Sequence, residues 1–88
     1  MQYHITKEQG QQIKRDYNFI VGNTYTVKGK ELLVAQISVL DVPASEYCNV
    51  AVDFDIINSS FLPTMLLDLF CQEVGIPFNI KNYGTPMP

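Results

Sequence analysis

Asp53 and Asp55 are the two residues of this chain whose type and spacing come nearest to chemistry. They stand two apart in a segment that reads as a β-strand, so both carboxylates project from one face about 7 Å apart. Paired carboxylates can hold a divalent cation or share acid–base work. Neither role has a companion here, because no third ligand, base or nucleophile lies nearby along the chain. The expected role is an acidic patch facing solvent or a partner. His4, the single histidine, precedes the first helix and is expected to be frayed and exposed. Ser59-Ser60 sits at a helix start, where a serine hydroxyl caps backbone amides. Cys48 and Cys71 are expected to be two reduced, buried thiols, with a disulfide as the alternative if the chain is exported, and the lack of a CxxC or HxxxH pair argues against a zinc site. The Gly-rich phosphate cradles GxGxxG and GxxxxGKS/T are missing. No catalytic residue, metal or cofactor is expected, and the chain is not read as an enzyme.

The elements that must position these residues fall in a chain of 88 residues, one domain with a thin core. Thr6-Lys7-Glu8-Gln9 fits a capping box and predicts a helix over about 7–17, with Ile13 and Tyr17 as its narrow apolar stripe. Gly22-Asn23 reads as a turn. Thr24 to Val27 reads as a strand, and Lys28-Gly29 as a two-residue hairpin loop. The return strand, about 30–40, sets Leu33, Ala35, Ile37 and Val39 on one face, taken as the core face. The other set, Leu32, Val34, Gln36, Ser38 and Leu40, is apolar at three of five positions, more than open solvent usually sees.

Asp41 to Glu46 reads as a loop around Pro43. A third strand over about 47–57 alternates cleanly, with Cys48, Val50, Val52, Phe54 and Ile56 inward and Asn49, Ala51, Asp53 and Asp55 outward. Asn58-Ser59-Ser60 predicts an N-cap, Pro63 the first turn of a helix over 61–74, and Gly75 its end. Ile76 to Ile80 reads as a short edge strand and 84–88 as a flexible tail. The expected fold class is α+β, order α-β-β-β-α, with a small antiparallel sheet of three or four strands and helices on one face.

That order is similar to the double-stranded-RNA-binding domain. The resemblance implies lysines at the start of the last helix, and the matching stretch Ser59 to Pro63 has no positive charge, so RNA binding does not carry over. Val52-Asp53-Phe54 followed by Ser59-Ser60-Phe61-Leu62 resembles the strand–loop–helix of STAS-like regulatory domains, without the βαβ alternation that precedes it there.

Charge and greasiness give the functional expectations. Residues 1–30 carry five basic and two acidic side chains, whereas 31–80 carry seven acidic side chains and no lysine or arginine. A body with that field suits a basic protein partner, and nucleic acid is not expected. Asp41, Glu46, Asp53 and Asp55 are the candidate partner-binding residues. Inhibitors and immunity-type proteins of phages and mobile elements share this size and charge. The 61–74 helix is apolar nearly all round, with Thr64, Asp68 and Gln72 as a thin polar stripe. Leu62, Met65, Leu66 and Leu69 are therefore candidate interface residues for a homo-oligomeric assembly subunit, the alternative reading. No apolar run is long enough for a membrane span and no signal peptide is visible, so a cytoplasmic location is expected.

Overall fold

The fold is given by a computed structural model, which describes residues 3–57 and 63–86. Helix α1 (Lys7–Asp16) starts as its sequence requires. Thr6 Oγ1 accepts from the Gln9 amide at 3.2 Å, and the Gln9 side-chain oxygen accepts from the Thr6 amide at 2.8 Å. This box satisfies donors that a helix start otherwise leaves open. Only Gly10 and Ile13 are buried along α1. A Cβ on Gly10 would stand 2.7 Å from Cys48 Sγ and 3.0 Å from Val39 Cγ1, so the missing side chain is what lets the helix lie this close to the sheet.

Strands β2 (Thr24–Val27) and β3 (Lys30–Asp41) are joined by Lys28 and Gly29, both at positive φ, 51° and 78°. That is the primed two-residue turn whose twist suits a hairpin. With β4 (Cys48–Ile56) and β5 (Thr64–Leu66) they form a four-stranded antiparallel sheet in the order β2-β3-β4-β5. The two ends of the described chain make a separate ladder, β1 (Tyr3–His4) with β6 (Thr85–Pro86). Beside it the Cys48 amide donates to the Ile5 carbonyl at 2.9 Å, which docks this ladder at the start of β4.

The face assignment within β3 differs from strict alternation. Pairing steps from Val34↔Phe54 to Gln36↔Asp53 and leaves Ala35 without an opposite residue. Such a bulge adds one residue to one strand, and a one-residue slip exchanges the faces on one side of it. Leu32 and Val34 are therefore buried together with Ile37, each 1–2 % exposed, while Leu33 is half-buried and Ala35 exposed.

The second helix is shorter than expected. Thr64, Met65 and Leu66 are strand, opposite Asp53, Val52 and Ala51, and α2 runs only over Leu67–Val74. Pro63 is thus not in a helical turn; its carbonyl accepts from the Phe54 amide at 2.9 Å. The physical reason lies in β4, whose far edge presents amides that need partners. A strand at 64–66 supplies them, and a helix there would not. A short apolar run cannot be told apart as helix or strand from periodicity alone. The expected cap Asn58-Ser59-Ser60, with Phe61 and Leu62, lies outside the described residues. Gly75 does end α2, left-handed at φ 79°.

No strand forms over 76–80. The Ile76 amide donates to the Cys71 carbonyl, the Tyr17 hydroxyl donates to the Pro77 carbonyl, and Ile80–Asn82 is a 3-10 turn. With β5 between the third strand and the last helix, the order α-β-β-β-α does not hold, and neither does the likeness to the RNA-binding domain.

The core is one cluster. Ile13 of α1 and Leu67, Phe70 and Cys71 of α2 meet Leu32, Val34, Ile37, Val50, Val52 and Phe54 of the sheet. Phe70 is central, edge-on to Tyr25 at 5.2 Å and tilted against Phe54 at 5.5 Å. Among the described residues no helix is long and apolar enough to cross a membrane.

Candidate functional site

Opposed residues of an antiparallel ladder share a face, as do residues two apart on one strand. The register therefore fixes what the sheet carries on the side away from the core. One row is Thr24, Leu33 and Asp55; the next is Gln36, Asp53 and Thr64; the third is Ser38, Ala51 and Leu66. Leu40 with Asn49 lies beyond at one end, and Glu31 with Thr26 at the other. These rows contain three carboxylates and no lysine or arginine.

Asp53 is the organised centre of this face. Its Oδ2 accepts from Ser38 Oγ at 2.5 Å and from Gln36 Nε2 at 2.7 Å, and its Oδ1 accepts from Thr64 Oγ1 at 3.1 Å. The Ser38 hydroxyl in particular, with Gln36 and Thr64, holds the carboxyl below its ordinary value, against the opposing effect of desolvation. Asp53 is thus an ionised acceptor that stitches β3, β4 and β5 together. Its three side-chain donors are neutral, and among the described residues it makes no salt bridge. Asp55 stays exposed on the same face.

Asp41 and Glu46 are elsewhere. Asp41 lies opposite Cys48, five residues before Asp53 on β4, and so roughly 17 Å away along the ladder. It sits on the helix side, 3.7 Å from Lys7 Nζ, and both side chains are more than half exposed. Such a pair adds at most about 1 kcal/mol. Glu46 shares a shallow hollow with Thr6, Lys7 and Glu8. The four acidic candidates therefore separate into Asp53 with Asp55, on the sheet face, and Asp41 with Glu46, near the start of α1. Glu31, Leu33 and Leu40 belong with the first pair and escape sequence reasoning. The available signal is that both alternating sets of β3 are apolar, which is how a strand reads when its faces exchange midway.

Of the apolar candidates, Met65 is half-buried and packs on the core, and Leu62 lies outside the described residues. Leu66 and Leu69 are exposed, at 41 % and 50 %. Leu66 belongs to the sheet face, whereas Leu69 projects from α2.

A cleft of about 290 Å³ opens where Leu66 and Asn49 border the N-terminal ladder. His4 lines it, half-buried and stacked on Tyr47 with ring centroids 4.0 Å apart and planes 13° apart. The frayed, exposed histidine expected at the terminus is instead fixed by this ring and by the β1–β6 pairing. Cys48 and Cys71 are buried and free. Burial, then Asp68, pushes the Cys71 thiol up to about 11, and burial, then Asp41, raises Cys48. Both are protonated near neutrality, which disfavours nucleophilic or metal-binding use. Among the described residues no group of three His, Cys, Asp or Glu could hold a metal ion. No protein-family profile, curated protein or solved structure matches the chain.

Proposed function

We propose that this chain is a small protein-interaction module that docks a basic partner on the open face of its sheet. It acts by occupying the partner's surface rather than by catalysis, the mode of an inhibitor or immunity-type protein. The observation that supports this reading most is the composition of that face: Glu31, Asp53 and Asp55 with no basic residue, bordered by Leu33, Leu40 and Leu66. Both helices send their buried side chains into the core on the opposite side, so neither shields these residues. Leu40 and Leu66 are 43 % and 41 % exposed. Apolar contacts inside a polar, charged rim are the anatomy of a protein interface. The carboxylates steer a basic surface and the leucines hold it.

The test compares affinity capture from the native cell by the wild type and by Glu31→Gln/Asp55→Asn. A partner held by the wild type, released by added salt and missed by the variant supports the reading. Equal capture by both, insensitive to salt, overturns it.

A second reading is self-assembly through the exposed Leu66 and Leu69. A solution mass above the monomer that falls to monomer with Leu69→Asp would favour it.

A further inference from the structure

The cleft beside Leu66 supplies a detail that the docking face lacks, namely a point of specificity. Four rings contribute to its walls: Tyr3, His4, Tyr47 and Phe78. All four are half-buried, and because His4 and Tyr47 stack on each other and Phe78 stacks on Tyr83, each of these three has one face left for another group. One carboxylate, Asp68, lies on its rim, and no lysine or arginine lines it. Asp68 stands in the first turn of α2, where its Oδ1 already accepts from the Leu69 amide at 2.9 Å, which fixes the carboxylate in place. Asn49 and Leu66 belong both to this cleft and to the open sheet face, so the two are continuous.

The geometry points to a pocket for a guanidinium group, an arginine side chain of the protein partner that anchors it beside the acidic face. Identifying the occupant as part of a partner rests on the docking reading above; the chemistry of the pocket does not. Aromatic rings attract cations through their faces, and guanidinium in particular stacks on them. A carboxylate adds a charge-assisted hydrogen bond of the kind that carries orientation as well as affinity. A cavity of about 290 Å³ is at the small end for an independent ligand and suits one side chain. Arginine seated in a partly desolvated aromatic pocket is a common hot spot of protein interfaces.

The probe is N-acetyl-arginine amide, titrated into the whole chain and followed by backbone amide NMR shifts. Saturable shifts are expected at Tyr47, Asn49 and, most tellingly, Leu69, whose amide reports on Asp68. N-acetyl-citrulline amide, the neutral isostere, should shift none of them. Asp68→Asn keeps an oxygen acceptor for the Leu69 amide and so preserves the helix start, but should weaken arginine binding about tenfold or more, as loss of a charge-assisted contact does. Equal shifts from citrulline and arginine, or no change with Asp68→Asn, would overturn the pocket, as would shifts spread over the acidic face with none at Leu69. Glu31→Gln/Asp55→Asn should leave the titration unchanged. The pocket can therefore fail while the docking face stands, and the docking face can fail while the pocket stands.

Discussion

Strand β4 separates two surfaces built on opposite logic. Toward the helices, Cys48, Val50, Val52 and Phe54 are all buried, and several charges at that side have partners, Lys7 with Asp41 and Asp16 with Gln12 and Tyr83. Away from them, Asp53 is held by neutral donors and Asp55 is exposed, beside leucines that remain two-fifths open. On the sheet side Asp53 is held by neutral donors alone among the described residues, which is the arrangement the proposed docking of a basic partner would use. Tyr83, half-buried and donating to Asp16 at 2.8 Å, is pushed up to about 12 by burial and by that carboxylate, which places it among the fixed parts.

The sharpest way to break the contrast is in the core. Phe70→Ala should lower unfolding free energy by about 3–5 kcal/mol, read by denaturant titration, because its ring is fully buried between Tyr25 and Phe54. Gly10→Ala comes next. The added Cβ meets Cys48 Sγ at 2.7 Å, and overpacking of about 1–3 kcal/mol should outweigh the roughly 1 kcal/mol of helix propensity gained. A stabilised variant would mean α1 rides higher on the sheet than described. On the open face the expectation reverses: Leu40→Thr and Leu66→Thr should each change stability by less than about 0.5–1 kcal/mol while weakening partner capture.

The smallest effect is titrational. The Asp53 carboxyl is held below its ordinary value near 3.8, so its contribution to stability is present above that value and is lost as pH falls through the lower, folded one. Asp53→Asn should flatten this acid limb of the stability–pH curve. An unchanged limb would assign the acid sensitivity to other carboxylates.

Local signals in the sequence carried local structure. The capping box at Thr6, the Lys28-Gly29 turn and the left-handed Gly75 are each determined within a few residues and found where expected, and β4 alternates as expected except at Ala51, expected outward but fully buried, and Ile56, expected inward but only half-buried. What failed depended on neighbours distant in the chain. The bulge at Ala35 is settled by register against β4, and residues 64–66 become strand because Val52 and Phe54 need partners on that edge. The candidate site inherits both. Asp53 and Asp55 were legible as a pair, and Leu40 already stood in the set opposite the expected core face, but Glu31 and Leu33 joined them only through the face exchange. Asp41 left the group because it falls on the helix side of the same ladder. His4 was illegible as a cleft residue, since only tertiary pairing brings Tyr47 against it.

The most direct test of the docking face is site-specific photo-cross-linking in the native cell, with the reactive residue at Thr26 or Asn49 on the open face and at Gln12 on α1. Cross-links to a single basic protein from Thr26 and Asn49, with none from Gln12, is the result the docking face predicts. Cross-links from Gln12 alone, or equally from all three positions, would contradict it.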